Sequence, residues 1–193
     1  MSTTSNFNDY SLVRLLPKDS ELVTNHILKL SVDDIYLRFG YDAKESQIRD
    51  YVTNTISVKD DQYNFWWGII QEDKLLATIH VAAKDDVAEF AFTTDAEYRG
   101  QKLGQLLFAR GLQFVTERKI NRIYMCMLSK NFAMRRIASK FGLSVTTFGT
   151  DTEASVNIQY PVPLSKIDTV KTTIIDRGIL EAMSGGRRST DRM

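Results

Sequence analysis

The stretch from Tyr63 to Thr94 constrains the fold more than any other. It contains "YNFWWGIIQ", "KLLATIHVAA" and "VAEFAFTT", with "EDK" and then "KDD" at the joins. Aromatic and β-branched residues in runs of this length mark strands. Joins this short connect only antiparallel neighbours, because a parallel crossover needs a dozen residues or more. The stretch therefore predicts an antiparallel meander, with Asp85 and Asp86 in its second turn, and a domain built on a sheet.

The flanks add helices. "YSLVRLL" reads as a first strand that Pro17 stops. In "KDSELVTNHILKL" the apolar residues Leu22, Val23, Ile27 and Leu30 recur at helical spacing. Ser31 is placed to cap a second helix, "VDDIYLRF", and "ESQIRDYVTNTI" puts Ile48, Val52 and Ile56 on one face of a third. After the meander, Leu103, Leu106, Leu107, Gly111, Phe114 and Val115 mark an amphipathic helix. Arg118 and Lys119 lie near its end, where cations suit the dipole. "RIYMCML" is a strand, "NFAMRRIASKFG" a helix between Asn131 and Gly142, and "LSVTTFG" with "ASVNIQYPV" a closing hairpin. The order is that of an α/β (α+β) protein, a mixed sheet with helices on its faces. Residues 1–163 read as one domain. Residues 164–193 read as an extension: Ile167, Val170, Ile174 and Leu180 hint at a helix, Gly185-Gly186 would end it, and "RRSTDRM" is a loose basic end.

Composition narrows the function. With 25 basic and 24 acidic residues the net charge is +1, which supports neither a broad nucleic-acid face nor a membrane-binding one. A single cysteine, Cys126, excludes a disulfide framework and a multi-cysteine zinc site. His26 and His80 are far apart in sequence and suggest no metal cluster, so no metal is expected. "MSTTSNFNDY" lacks the basic patch and apolar core of a signal peptide, and "FWWGII" is too short to span a bilayer. These features point to a soluble, cytoplasmic protein.

Between "AEFAFTT" and the leucine-rich helix lies "DAEYRGQKLG". A loop that follows a strand and opens a helix aims its own amides, and those of the first helical turn, into one pocket. The helix dipole adds positive potential there. Gly100 and Gly104 remove side chains that would block close approach, and Arg99 and Lys102 supply full charges. Such a site suits a phosphate or diphosphate. The loop matches neither the P-loop pattern nor G-x-G-x-x-G. Taken alone, it is equally well a surface turn with incidental glycines.

"YRGQKLGQLL" resembles the diphosphate-binding loop of the GNAT acetyltransferases: Arg or Gln, two residues, Gly, one residue, then Gly or Ala. Arg99, Gly100, Lys102 and Gly104 stand in that register, with Lys102 where glycine is usual. "AEFAFTT" is similar to the family's fourth strand, and "NFAMRRIASKFGL" to its later helix. The order of elements fits from about Tyr10 to Val162. "SVDDIYLRF" with "AEFAF" shows a further likeness to bacterial GNAT enzymes that acetylate protein lysines. The resemblance implies the GNAT fold, a mixed, mostly antiparallel sheet of about six or seven strands with helices on both faces.

The resemblance also implies acetyl-CoA as cosubstrate and direct transfer of its acetyl group to an amine. Backbone groups of Phe92, Thr93 and Thr94 would pair with pantetheine between splayed strands. Amides of Gly100, Gln101, Lys102, Leu103, Gly104 and Gln105, beside Arg99, would hold the diphosphate, with Asn131 on the other side. Lys102 serves only if the backbone there tolerates a Cβ. A strand amide near Phe92 would polarise the thioester carbonyl. Glu89 is the expected base, since an amine near pKa 10.4 must lose a proton before it attacks. Strand alternation sets Glu89, Ala91 and Thr93 on one face and Phe90 and Phe92 on the other. A covered sheet would then place Glu89 in a wall or cleft, where partial burial raises its pKa. The alternative is a solvated or ion-paired strand carboxylate.

His80 shares that face, so a His80–Glu89 relay competes with a packed or surface histidine. The tyrosine that protonates the leaving thiolate in many relatives is replaced by Ala138. Tyr124 and Ser129 lie nearby in sequence but do not match the motif. Cys126 is expected to be packed. Tyr36 and Arg38 either line the acceptor side or are a packed tyrosine and a solvated arginine. The leading expectation is an N-acetyltransferase acting on an amine-bearing small molecule or a protein lysine, with a homodimer left open. The missing tyrosine and the substituted glycine favour instead a catalytically weak acetyl-CoA-binding regulatory module. A third reading is an interaction protein that docks through the Ile167–Leu180 stripe.

Overall fold

The meander forms where the residue pattern requires it. In a computed structural model of the chain, which describes residues 10–56 and 63–158, it consists of β2 (Asn64–Gln71), β3 (Lys74–Lys84) and β4 (Val87–Thr94). Its tight turns place Glu72 and Asp85 at left-handed φ of 53° and 52°. The register aligns Trp66, His80 and Ala91 in one row and Asn64, Ala82 and Glu89 in the next. β1 (Ser11–Leu15) pairs antiparallel with the outer edge of β2.

The chain leaves β4 through α4 (Leu103–Glu117) and returns as β5 (Arg122–Leu128), parallel to β4. Then follow α5 (Phe132–Lys140), β6 (Ser144–Phe148) and β7 (Asp151–Asn157). The closing hairpin is antiparallel, and its second strand β7, not β6, lies against β5. The result is a 7-stranded sheet of order β1-β2-β3-β4-β5-β7-β6. Every pair but β4–β5 is antiparallel, as expected for this fold class. The expected helix of the extension, and the Ile167–Leu180 stripe, lie outside the described residues.

The sheet separates two cores. On one face α4 and α5 cover Phe65, Trp67, Ile79, Phe90, Ile123 and Met125. Phe108 of α4 is 1% exposed and lies between Phe90 and Phe141, at ring separations of 5.3 and 4.1 Å. Full burial of such a ring contributes about 1.5–3 kcal/mol. On the other face α1 (Ser20–Leu28) and α3 (Glu45–Thr55) bring Val23, Ile27, Ile48 and Val52 onto Leu15, Trp66 and Leu75. β2 is thus buried on both faces, which explains its unbroken apolar run.

The second face changes character beyond β4. α2 (Val32–Phe39) reaches it there, touching β4 and β5. Ser31 Oγ accepts from the Asp34 amide at 3.2 Å to start this helix, and Gly40 ends it at φ 80°. Among the described residues no helix covers that face of β7 and β6. Cys126, expected to be packed, is exposed: it points to the face opposite that of the buried Met125 and Met127.

Gly111 lets α4 approach the sheet. A Cβ there would lie 2.7 Å from the Phe90 ring and 2.9 Å from Ile79 Cδ1. In an open helix Gly→Ala gains about 1 kcal/mol, whereas overpacking a closed core costs about 1–3 kcal/mol. Phe90 has no free side to move to, so Gly111→Ala is expected to lower unfolding free energy by about 1–2 kcal/mol in urea titration.

Candidate active site

β4 and β5 part company. Their parallel ladder pairs Val87 with Arg122, Ala88 with Ile123 and Glu89 with Tyr124, and then ends, although the strands run on to Thr94 and Leu128. From Phe90 onward the β5-facing edge of β4 has no strand partner among the described residues. A gap therefore opens at the carboxyl ends of two parallel strands, where crevices in such sheets take ligands. Its β4 edge carries Phe92, Thr93 and Thr94, and an extended ligand could pair there as an added strand.

The glycine loop forms the end of the gap. Asp95 caps a short 3-10 turn, Ala96–Tyr98, by accepting from the Glu97 amide at 3.2 Å. Gly100 then takes φ 78° with open space around its Cβ position. Lys102, the residue standing in place of glycine, adopts the same left-handed backbone at φ 64° and forms the N-cap of α4. The amides of Gly100, Gln101, Lys102, Leu103 and Gly104 have no acceptor among the described residues, as expected at a helix start. Gln105 differs from expectation: its amide donates to the Lys102 carbonyl at 2.9 Å, closing the first turn and leaving the open set. Gly104 has a packing reason as well, because a Cβ there would lie 2.9 Å from Ile137 Cδ1 of α5.

The cations are used unequally. Arg99 does not face the open amides alone, since its Nη2 pairs with Asp34 Oδ2 at 2.6 Å. Burial pushes the Asp34 carboxyl up, but hydrogen bonds from Ser31 and Arg99 outweigh it and hold the group below its ordinary value. Two residues on, the Tyr36 ring carries Lys130 Nζ at 4.6 Å from its centroid. α2 thus reaches the β4 side of the gap through Asp34 and the β5 side through Tyr36. Asn131 accepts from the Met134 amide at 3.2 Å and caps α5 beside that second lip.

Glu89 stands at the last paired position, but not in a wall. It is exposed. Of the two readings of His80, the structure shows the packed histidine. His80 is 6% exposed and stacks on Trp66 at 4.6 Å. Its Nε2–H donates to Asn64 Oδ1 at 2.9 Å, and its Nδ1 accepts from the Tyr51 hydroxyl at 2.7 Å. That hydroxyl in turn accepts from Arg38 Nη2. Burial, with Arg38 second, lowers the His80 pKa to about 3. Burial also raises the Tyr51 pKa. Ala138 is fully buried, so the place of the missing tyrosine faces the core. Tyr124, at the splay point, has its pKa raised by burial and by a hydrogen bond to Glu153.

A second histidine chain went unseen in the sequence. Thr93 is 6% exposed, and its hydroxyl lies 2.6 Å from Thr78 Oγ1 and 2.9 Å from His26 Nε2. His26 Nδ1 lies 2.9 Å from the Leu75 carbonyl, which can only accept. The proton order is therefore fixed: Thr78 donates to Thr93, Thr93 to His26, His26 to Leu75. Burial lowers the His26 pKa to about 4. This chain pins the side chain of Thr93, so only its backbone remains for a ligand. A histidine among Val23 and Ile27 was the one available sign.

A family model described as "Acetyltransferase (GNAT) domain" matches residues 12–144. Solved structures share the fold at low identity. The GNAT domain of S. lividans PAT is 17% identical with a TM-score of 0.67, covering 76% of this chain and 89% of that one. The ribosomal-protein-S5-alanine acetyltransferase from Vibrio fischeri is 10% identical with a TM-score of 0.64, covering 81% and 97%. The PaiA N-acetyltransferase from Thermoplasma acidophilum, in complex with coenzyme A, is 16% identical with a TM-score of 0.60, covering 77% and 98%. A search of curated proteins finds no match.

Two expectations follow from this geometry. Left-handed backbone costs a residue with a Cβ about 1–2 kcal/mol, and a β-branched one more. Lys102→Gly is expected to raise stability by up to about 1 kcal/mol and Lys102→Val to lower it by more than that, read by urea denaturation. The histidines act through pH. Below about pH 6.5 the unfolded chain protonates both, while the native state keeps them neutral until about 4 and 3. Stability is therefore lost as pH falls, by up to about 1.4 kcal/mol per pH unit per histidine. Between pH 5 and 6.5, above the carboxylate range, His80→Gln is expected to halve the slope of unfolding free energy against pH.

Proposed function

We propose, because the chain belongs to the GNAT acetyltransferase family, that this acyltransferase moves an acetyl group from acetyl-CoA directly to a primary amine. The supporting observation is the gap: β4 and β5 separate after Glu89–Tyr124, and open amides from Gly100 to Gly104 line its end. In this reading pantetheine pairs with the backbone of Phe92–Thr94, and the diphosphate takes the loop amides in the field of α4. Lys102 adds charge at the same end. Asn131 borders the other lip through its place at the start of α5.

Glu89 is the proposed base. Its place at the mouth of the gap lets it take a proton from an arriving ammonium, directly or through one water. The neutral amine then attacks the thioester carbonyl carbon, the carbon–sulfur bond breaks, and the sulfur leaves as a thiolate. With Ala138 buried, water supplies that thiolate's proton, which a thiol pKa near 8.5 permits. The acceptor is an amine of a small molecule or of a protein lysine, and a cytoplasmic setting fits the reading. Among the described residues no helix is long and apolar enough to cross a membrane.

The exposure of Glu89 also favours a second reading, a weakly catalytic module that binds acetyl-CoA and regulates a partner. Glu89→Gln separates the two. Under the leading reading it keeps acetyl-CoA affinity by calorimetry, lowers coenzyme A release by about 10²–10⁴-fold and flattens the alkaline rise in rate. An unchanged pH–rate profile rejects Glu89 as the base. Tight acetyl-CoA binding with no release over a broad amine panel supports the regulatory module.

A further inference from the structure

Arg38 sits on the sheet face that carries Glu89, and the acetyl-transfer reading gives it no task. Its guanidinium is held rather than free: Nη2 donates to the Tyr51 hydroxyl, and its carbon lies 5.0 Å from the Phe39 ring centre and 5.2 Å from that of Tyr51. A guanidinium carries five N–H donors in a rigid fork that matches a carboxylate. Among the described residues Arg38 has no other hydrogen-bond acceptor and no carboxylate within ion-pairing distance. Elsewhere on this surface Arg49 pairs with Glu21 and Glu45, and Arg99 with Asp34.

The position of Arg38 makes the vacant donors informative. Tyr51 joins it to His80, and His80 is paired with Ala91 of β4. Glu89 lies two residues back on the same face, a diagonal neighbour of His80 about 7–8 Å away along the backbone and somewhat less between side-chain roots. The Tyr51 hydroxyl feels the charge of both Arg38 and Glu89. Yet Arg38 and Glu89 form no ion pair with each other. The Arg38–Tyr51–His80–Asn64 chain holds the cation in place, since each link has a defined donor. A fixed cation, and on the same face an exposed carboxylate at the mouth of the gap, are kept apart and complement a ligand with the opposite order of charges.

We propose that the acceptor is an amine that itself carries a carboxylate, with the ammonium directed to Glu89 and the carboxylate held by the Arg38 fork. This rests on the acetyl-transfer reading and deepens it. The arrangement orients the acceptor, because the reversed pose would set carboxylate against carboxylate and guanidinium against ammonium. Arg38 is then a specificity-determining residue. The carboxylate belongs either to a free amino acid or to an acidic residue beside a peptide N-terminus.

The test compares matched acids and amides. Coenzyme A release is measured for glycine, 4-aminobutyrate and 6-aminohexanoate against their carboxamides. Peptides of sequence Ala-Asp and Ala-Asn at the N-terminus form the second arm. At least one acid is expected to exceed its amide by tenfold or more in kcat/KM, mainly through KM. The arm in which this occurs identifies the source of the carboxylate. Arg38→Met is expected to bring the acid-to-amide ratio close to one, and Arg38→Lys to retain part of it, with melting curves recorded for both. A wild-type ratio near one in every pair, or a ratio that Arg38→Met leaves unchanged, overturns the proposal. If no amine releases coenzyme A, the acetyl-transfer reading fails separately. The same pairs are then titrated calorimetrically into the coenzyme A-loaded protein. Acid binding that Arg38→Met abolishes sustains the carboxylate site, and equal or absent binding of acid and amide overturns it.

Discussion

The short parallel ladder between β4 and β5 is the constraint on which the rest depends. Parallel strands joined by a helix must lie side by side at their start, and here they do so for only the Val87–Glu89 segment. Beyond it, the strands would need a partner for every amide and carbonyl that faces the gap. An unpaired edge is costly if buried and useful if a ligand can pair with it. The gap, the loop at its end and the carboxylate at its mouth all follow from the point at which that ladder stops.

Holding a gap open requires rigid walls. The β4 wall is tied to β3 and α1 through Thr78, Thr93, His26 and the Leu75 carbonyl, all in a buried setting. The neighbouring row is tied to α3 and β2 through Tyr51, His80 and Asn64. Each chain ends on an oxygen that can only accept, so each has one self-consistent set of protons. Buried hydrogen-bond chains of this kind add little net stability per bond but cost a full desolvation penalty if broken. They specify where β4 sits more than they strengthen the fold. α2 completes the frame with weaker ties, an ion pair at Asp34 and a cation on the Tyr36 ring.

How legible this was depended on range. The meander, the Ser31 cap and the loop between β4 and α4 are local patterns, and each was visible in a few residues. Glu89 was placed on the right face by alternation but in a wall the fold does not build, and Cys126, expected to be packed, is exposed. Alternation tells which side a residue takes, not whether a helix covers that side. The His26–Thr93 contact joins residues far apart in sequence, and Arg99 meets Asp34 only because α2 folds back over the loop. Gln105 was lost from the amide set by a single turn of hydrogen bonding that spacing cannot foresee.

The exposure of Glu89 carries an argument of its own. A carboxylate surrounded by water is a far weaker base than the amine whose ammonium must give up its proton, so the transfer is steeply uphill. A wall built by the fold would narrow that difference in advance, and this fold leaves the wall unbuilt. On the acetyl-transfer reading, the acceptor must supply it. An occupant seated between α2 and the mouth of the gap displaces water from Glu89, and loss of water raises the basicity of a carboxylate. It also lowers the pKa of an ammonium held beside it in the same dry space. An acceptor that leaves the mouth wet gains neither effect, even if its amine reaches the thioester. Selectivity in such a site comes from which amines complete the enclosure, and not from the carboxylate alone.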